Sequence, residues 1–516
     1  MRTRLTTTRF CGWVVFLGVS LFSLDRWALA QLPADPTSKP TPTTVAQTTD
    51  ESWQVIYMDQ QRVGYEYGRE AIERRDGRVV IVSSSESHSR LKRLGQELKL
   101  TTILQTEETE AGDLLRFNFE LKNPPAQPTR TEGVVNNGEL KLTSTVAGRT
   151  SSRHLTWEAD AKSPAYPDRL LREKPLKPGE SRTTKVYLPE FNKFSQITLS
   201  ADDVRPVKLL DGKYQSLLKV RVAISAIPEQ TSRQFVDTNG RTVLTETDML
   251  GVAAKSYRVA RDVALQAIAG AELDIAISTL IRIDPPITDA HRKKRIVYRI
   301  SAKDEFPDKL LVNGGTQQVK RLSPDSIEVT VTSKPLPPTV FRQVATDAKY
   351  LATTRFLQVN DSRVVAHADK AAGGETDPSR VAARMERFVF EKLTKKNFST
   401  AMASAAEVAE HLEGDCTEHA VLLAAMLRAK KIPSRIAAGL VYIPGVNSFG
   451  GHMWTEAFLG DEWIPLDATL GRTGIGAAHL KMSESALDED APFPVSAFLP
   501  LYQGLGKLKI EVLKAE

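Results

Sequence analysis

Hydrophobic and polar positions change period along this chain, and the changes divide it. Between residues 51 and 265 the pattern is alternation. Leu115, Phe117, Phe119 and Leu121 are interleaved with Arg116, Asn118 and Glu120, and Leu218, Val220, Val222 and Ile224 repeat the scheme against Lys219 and Arg221. A two-residue period puts one row of side chains on a core and the other in water, the mark of an antiparallel strand with one wet face. Pro178-Gly179 and Asn239-Gly240 punctuate the runs as turns. The expectation is a large antiparallel β-rich domain over 51–265. A smaller, sandwich-like β domain is expected over 266–345, where Ile327, Val329 and Val331 precede the Pro-rich exit KPLPP.

After Asp377 the period becomes helical. Asp377-Pro378 reads as an N-cap acceptor followed by a proline whose missing N–H costs nothing in the first turn. Val381, Met385, Phe388, Val389 and Leu393 then recur on one face. Ser404 with Glu407 predicts a capping box for a short helix ending at Gly414. Asp415 with Glu418 predicts another, so that a helix begins at Cys416. The apolar run Ala420 to Leu427 makes that helix buried. Cys416 therefore falls on its first turn, where unpaired N–H groups and the helix dipole favour a thiolate over the ordinary thiol of pKa ~8.5. The same N–H groups are suited to an oxyanion in acyl transfer.

Downstream, a Gly-rich stretch (Phe449-Gly450-Gly451) leads into His452-Met-Trp-Thr-Glu-Ala-Phe-Leu, and Gly460-Asp461 reads as a two-residue hairpin turn. If Leu459 pairs with Glu462, Trp454 faces Asp467, and His452 becomes the diagonal neighbour of Asp467 on the same face, with backbones ~7–8 Å apart and side chains in reach. A carboxylate behind an imidazole is what a thiol–imidazole pair needs for orientation. Trp454 and Trp463 read as core residues. Trp454, Gly451 and Asp415 are also the candidates for walls of a substrate groove.

Composition adds bounds. The chain has 516 residues, 41% hydrophobic and 26% charged, which fits several folded domains rather than a disordered or membrane-embedded chain. Half of the formal net charge of +6 sits in residues 1–30, where Arg2, Arg4, Arg9 and Arg26 stand against Asp25. What remains is too weak to suggest nucleic-acid binding. The basic run His291 to Arg295 (HRKKR) reads as a solvated loop. The arginines precede an apolar stretch, Phe10 to Leu24, and then Ala28-Leu29-Ala30, so residues 1–30 read as a signal peptide. Export to the periplasm or the medium is expected, with no membrane span after cleavage. Residues 31–50, rich in Pro and Thr, read as a linker. Cleavage removes Cys11 and leaves Cys416 as the mature chain's one cysteine.

The run GDCTEHAVLLAAMLRAKKIPSR resembles the nucleophile helix of the transglutaminase-like superfamily, and GGHMWTEAFLGDEWIPLDAT resembles its histidine and aspartate strands. Residues 346–516 are expected to form that domain, with its core at 377–470. The resemblance implies a papain-like α+β core, and a fold class for the whole chain of α+β multidomain, with the β-rich region first. It implies that Cys416 is the nucleophile, His452 the general base and acid, and Asp467 the orienting group. The implied activity is thiol acyl transfer or hydrolysis on a protein or peptide substrate. The alternative is a catalytically silent papain-like domain in an envelope scaffold. His411, Cys416, His419 and His452 are metal-binding residue types, but the buried helix and Asp467 already account for the thiol and for His452. No metal or cofactor is expected.

Overall fold

Alternation in the first half becomes strand pairing in the computed structural model, which describes residues 47–516 apart from 76, 229, 250–251, 269–272, 303–306, 341–343 and 489–494. The expected signal peptide, Cys11 and most of the linker lie outside the described residues. Residues 47 to 259 form one 14-stranded antiparallel sheet. Its first strand, Gln47–Met58, lies at mid-sheet, flanked by Gln61–Arg75 and by the last strand, Val252–Val259. Two meanders run outward from there, ending at Arg149–Thr156 on one side and Ser181–Leu188 on the other. Phe117 and Phe119 are buried while Arg116 is exposed, and Leu218, Val220, Val222 and Ile224 are buried in the same way. The Asn239-Gly240 turn closes a hairpin at Gly240, whose φ of 72° suits glycine. A Cβ at Gly240 would also lie 2.1 Å from the Leu171 carbonyl oxygen.

A second, four-stranded sheet orders Gln317–Ser323, Ser326–Thr332, Arg295–Ala302 and Leu508–Ala515. The last of these arrives from the far end of the chain and pairs antiparallel with Arg295–Ala302, Ile300 facing Ile510. Ile296, Tyr298 and Ile300 on one side and Ile327, Val329 and Val331 on the other close its inner face.

Between these two segments lies a third unit, a sheet covered by helices. Ser434–Ile443 pairs with Ser448–Leu459 and with His479–Ser485, while Ile281–Arg282 and Glu462–Leu466 pair with Ser448–Leu459. The helix Cys416–Ala429 packs on this sheet and against the helices Ser362–Ala372, Pro378–Lys392 and Ala405–His411. Every residue from Cys416 to Arg428 is buried, as the unbroken apolar run requires. Both capping boxes form: Ser404 with Glu407, and Asp415 with Glu418. The first helix stops earlier than expected, at His411, because Leu412 takes the left-handed conformation (φ 51°) and ends the ladder before Gly414 is reached. One hydrophobic cluster runs through all of this, joining Leu423 of the cysteine helix, Ile300 and Ile510 of the four-stranded sheet, and Leu91 and Leu98 of the 14-stranded sheet. No described helix is long and apolar enough to cross a membrane.

Candidate active site

The cysteine sits where the capping chemistry puts it. Asp415, with an extended backbone, accepts the Thr417 N–H at 2.9 Å and the Thr417 hydroxyl at 2.8 Å. Glu418 reaches back to the Asp415 N–H at 2.9 Å and also accepts the Ala403 N–H at 3.0 Å. Cys416 is the first residue after the cap, fully buried and in no disulfide.

The histidine and aspartate strands turn at Gly460-Asp461 in the expected register: Leu459 faces Glu462 and Thr455 faces Leu466. Carried on by one position, this sets Asp467 beside the histidine strand. His452 Nε2 lies 2.8 Å from Asp467 Oδ2, with 2% and 1% of the two side chains exposed. Nδ1, which has no other hydrogen-bond partner among the described residues, is the ring nitrogen left to Cys416. Burial alone would lower the His452 pKa. The charges of Asp467 and Cys416 and the hydrogen bonds to both together outweigh it, and the imidazole is raised to about 10. Asp467 is itself buried, yet the histidines it faces hold it well below the usual carboxylate range.

Three groups that the sequence does not assign to the site complete it. His479 Nε2 lies 3.1 Å from the same Oδ2 of Asp467. Burial lowers its pKa, so it serves Asp467 as a neutral N–H donor. His291, expected on a solvated loop, instead turns inward from the HRKKR run: its ring packs edge-on to His479 at 5.9 Å while Arg292 and Lys294 stay exposed. Burial pushes the His291 pKa down to about 4. Glu386, on Pro378–Lys392, accepts the Asp467 N–H at 2.8 Å and the Gly474 N–H at 3.1 Å. It therefore fixes the backbone on both sides of the Asp467 turn.

Trp454 is 2% exposed, near-parallel to the His452 ring at 6.2 Å and edge-on to His479 at 5.3 Å. Trp463 lies apart, with Arg435 stacked over it at 4.1 Å. Gly451 is buried in the histidine strand opposite Leu440, and Asp415 is fully buried. The four residues of metal-binding type do not converge. His411 is exposed, and His419 is turned away, with Nε2 3.2 Å from Lys396 Nζ and Nδ1 on the Asp415 carbonyl. Among the described residues, a set with ligand atoms within 4.8 Å of one another is His452, Asp467 and His479. The two hydrogen bonds to Asp467 Oδ2 account for that convergence.

Glu386 carries a test. Burial pushes its pKa up to about 8, so folded protein holds a proton that the unfolded chain loses near ~4.3. A raised carboxyl pKa makes stability fall as pH rises between those two values. Glu386→Gln keeps an acceptor for the Asp467 N–H and removes that decline, so its melting temperature should gain on wild type from pH 5 to pH 8. Glu386→Ala removes the acceptors of two buried N–H groups and should lower the melting temperature at pH 5. Equal pH dependence of wild type and Glu386→Gln would refute this assignment.

A thiol on the first turn of a buried helix, facing a strand-borne imidazole backed by a carboxylate, places this domain in the papain-like class of thiol folds. The description of the transglutaminase-like superfamily core matches residues 365–468, so the C-terminal third of the chain contains a transglutaminase-like core. No curated protein matches the chain. Among solved structures it is similar to a candidate cysteine protease from Cytophaga hutchinsonii, with 16% identity over 38% of this chain and 82% of that one and a TM-score of 0.28. It is also similar to a beta-barrel-like protein of a domain of unknown function from Brucella abortus, at 13% over 40% and 96%, TM-score 0.29. A third is the periplasmic domain of TgpA from Pseudomonas aeruginosa bound to ethylmercury, at 15% over 37% and 97%, TM-score 0.22.

Proposed function

We propose that this is an exported thiol enzyme that cleaves or exchanges amide or peptide bonds through an acyl-thioester, with Cys416 as nucleophile, His452 as acid and base, and Asp467 as the orienting carboxylate. The observation that carries this reading is the buried His452 imidazole, held at 2.8 Å by Asp467 and raised to about 10 by Asp467 and Cys416 together. An imidazole that keeps its proton beside a thiol takes that proton from the thiol. Cys416 Sγ then attacks the substrate carbonyl carbon, and the carbonyl electron pair moves onto oxygen. As the tetrahedral species collapses, the C–N bond breaks and His452 protonates the departing amine. The thioester is next attacked by water, which completes hydrolysis or deamidation, or by a second amine, which completes transamidation. His452 accepts the proton of that nucleophile, and the thiolate leaves. Protein or peptide is the fitting substrate class, and the expected signal peptide supports a reaction in the periplasm or outside the cell.

The test is the pH profile of Cys416 alkylation by iodoacetamide in the mature protein, where no other thiol competes. Alkylation should persist near pH 6, where an ordinary thiol is protonated, and His452→Ala should abolish that low-pH reactivity. Because Cys416 is fully covered, the position of the profile is read rather than the absolute rate. Turnover should fall as pH rises through about 10, where His452 loses the proton it must give to the leaving amine. A profile in the folded protein that matches the unfolded one would assign the domain to the scaffold role instead.

A further inference from the structure

The segment leading into the cysteine helix is gripped from outside the transglutaminase-like core. Gln96 of the 14-stranded sheet accepts the Phe398 N–H at 2.7 Å and donates to the Lys396 carbonyl at 3.3 Å. Asn123 donates to the Ser399 carbonyl at 3.0 Å and accepts the Ala401 N–H. Between them Arg93, the last residue of strand Arg78–Arg93, runs inward with none of its side chain exposed. Its Nη2 donates to the Thr400 carbonyl at 2.6 Å and forms an ion pair with Asp415 Oδ2. Asp415 thus divides its carboxylate: Oδ1 caps the cysteine helix at Thr417, and Oδ2 belongs to the sheet.

We propose that Arg93 is a positioning residue for the thiol, supplying from the N-terminal sheet the countercharge that lets a buried carboxylate cap the helix without opposing the Cys416 thiolate. The charge arrangement carries this. Glu418 is pushed well above the usual carboxylate range by burial and by the charge of Asp415. His419 is neutral, lowered to about 4 by burial and by Lys396. Across from the helix stand His452 and Asp467, which form their own pair. The carboxylate next in sequence to Cys416 is Asp415, fully buried, and among the described residues its ion pair is with Arg93. A carboxylate so close in a low-dielectric interior disfavours a neighbouring thiolate unless it is neutralised. Without Arg93, that carboxylate is left uncompensated beside Cys416 and opposes the thiolate, which lowers thiol reactivity. The sheet is then part of the thiol site rather than a separate module.

This rests on the thiol-enzyme reading, and alkylation profiles separate the two. They are measured on the mature wild type, Arg93→Lys, Arg93→Met and the double variant Arg93→Met/Asp415→Asn, each checked for folding by circular dichroism and thermal melting. Arg93→Met should shift the profile to higher pH by about one unit, so that alkylation on its acid side slows by about tenfold. Arg93→Lys keeps the charge and should recover most of the rate. The double variant removes both charges while the introduced asparagine still caps the helix, and should return the profile toward wild type although no ion pair exists. A role in stability alone would lower the melting temperature of Arg93→Met and leave its profile in place. A folded Arg93→Met with the wild-type profile overturns the proposal while leaving the enzyme reading intact. Should Arg93→Met fail to fold, Arg93→Lys and the double variant decide, and a double variant shifted as far from wild type as removal of His452 overturns it. A wild type that titrates like an unfolded thiol removes the enzyme reading itself.

Discussion

Asp467→Asn is expected to reduce kcat/KM by about 10²–10⁴-fold, the scale on which a triad loses rate when its carboxylate is neutralised. Two N–H donors, from His452 and His479, converge on one oxygen of Asp467. An asparagine can place its carbonyl there and keep the shape. It cannot supply the charge, which is the strongest influence raising the His452 pKa. Burial, which pushes the other way, then prevails, and a completely buried imidazole becomes neutral at pH 7. The thiol keeps its proton, so alkylation near neutrality should fall together with turnover. Combining Asp467→Asn with His452→Ala should cost little more than His452→Ala alone, because the two residues act as a unit. Steady-state kinetics on the three variants check this, and strictly additive losses would contradict the coupling.

Cys416→Ala is expected to abolish turnover and leave the fold standing. The substitution removes one sulfur from a fully buried site at the head of a helix whose cap, Asp415 with Glu418, involves only neighbouring residues. Its packing cost is on the order of 1 kcal/mol, below the range for larger truncations. The cap is untouched, so the melting transition should remain cooperative. His452 also loses one of the two charges that raise its pKa, so its titration should move down. Turnover surviving in this variant would end the thioester mechanism.

What the sequence made legible was local. The Asp415–Glu418 cap, the Gly460-Asp461 turn and the pairing of Leu459 with Glu462 are fixed by residues within a few positions of one another. The nearness of His452 to Asp467 followed from that register alone. Glu386 carries a readable signal: it shares a helix face with Ala382 and Val389, both buried, and a carboxylate on an apolar face needs a reason. His479 and His291 left none, because their approach to Asp467 depends on how separate segments pack. The same holds for the placing of Gln47–Met58 at mid-sheet beside Val252–Val259, and for Arg93, which meets Asp415 across 322 positions. Pattern reading finds elements; long-range partners are chosen by burial and charge that no short window contains.

The strand Leu508–Ala515 has a practical consequence. It closes against Arg295–Ala302, so the segment between them, which holds Cys416, His452 and Asp467, is fastened at both ends into one sheet. A single proteolytic cut in a loop inside that segment leaves its two pieces joined through this strand pairing. Deleting this last strand exposes an unpaired strand edge next to Ile296, Tyr298 and Ile300, all buried in the intact protein, an invitation to edge-to-edge aggregation. The thiol domain of this chain is a mid-span rather than a pendant, and it is best handled whole.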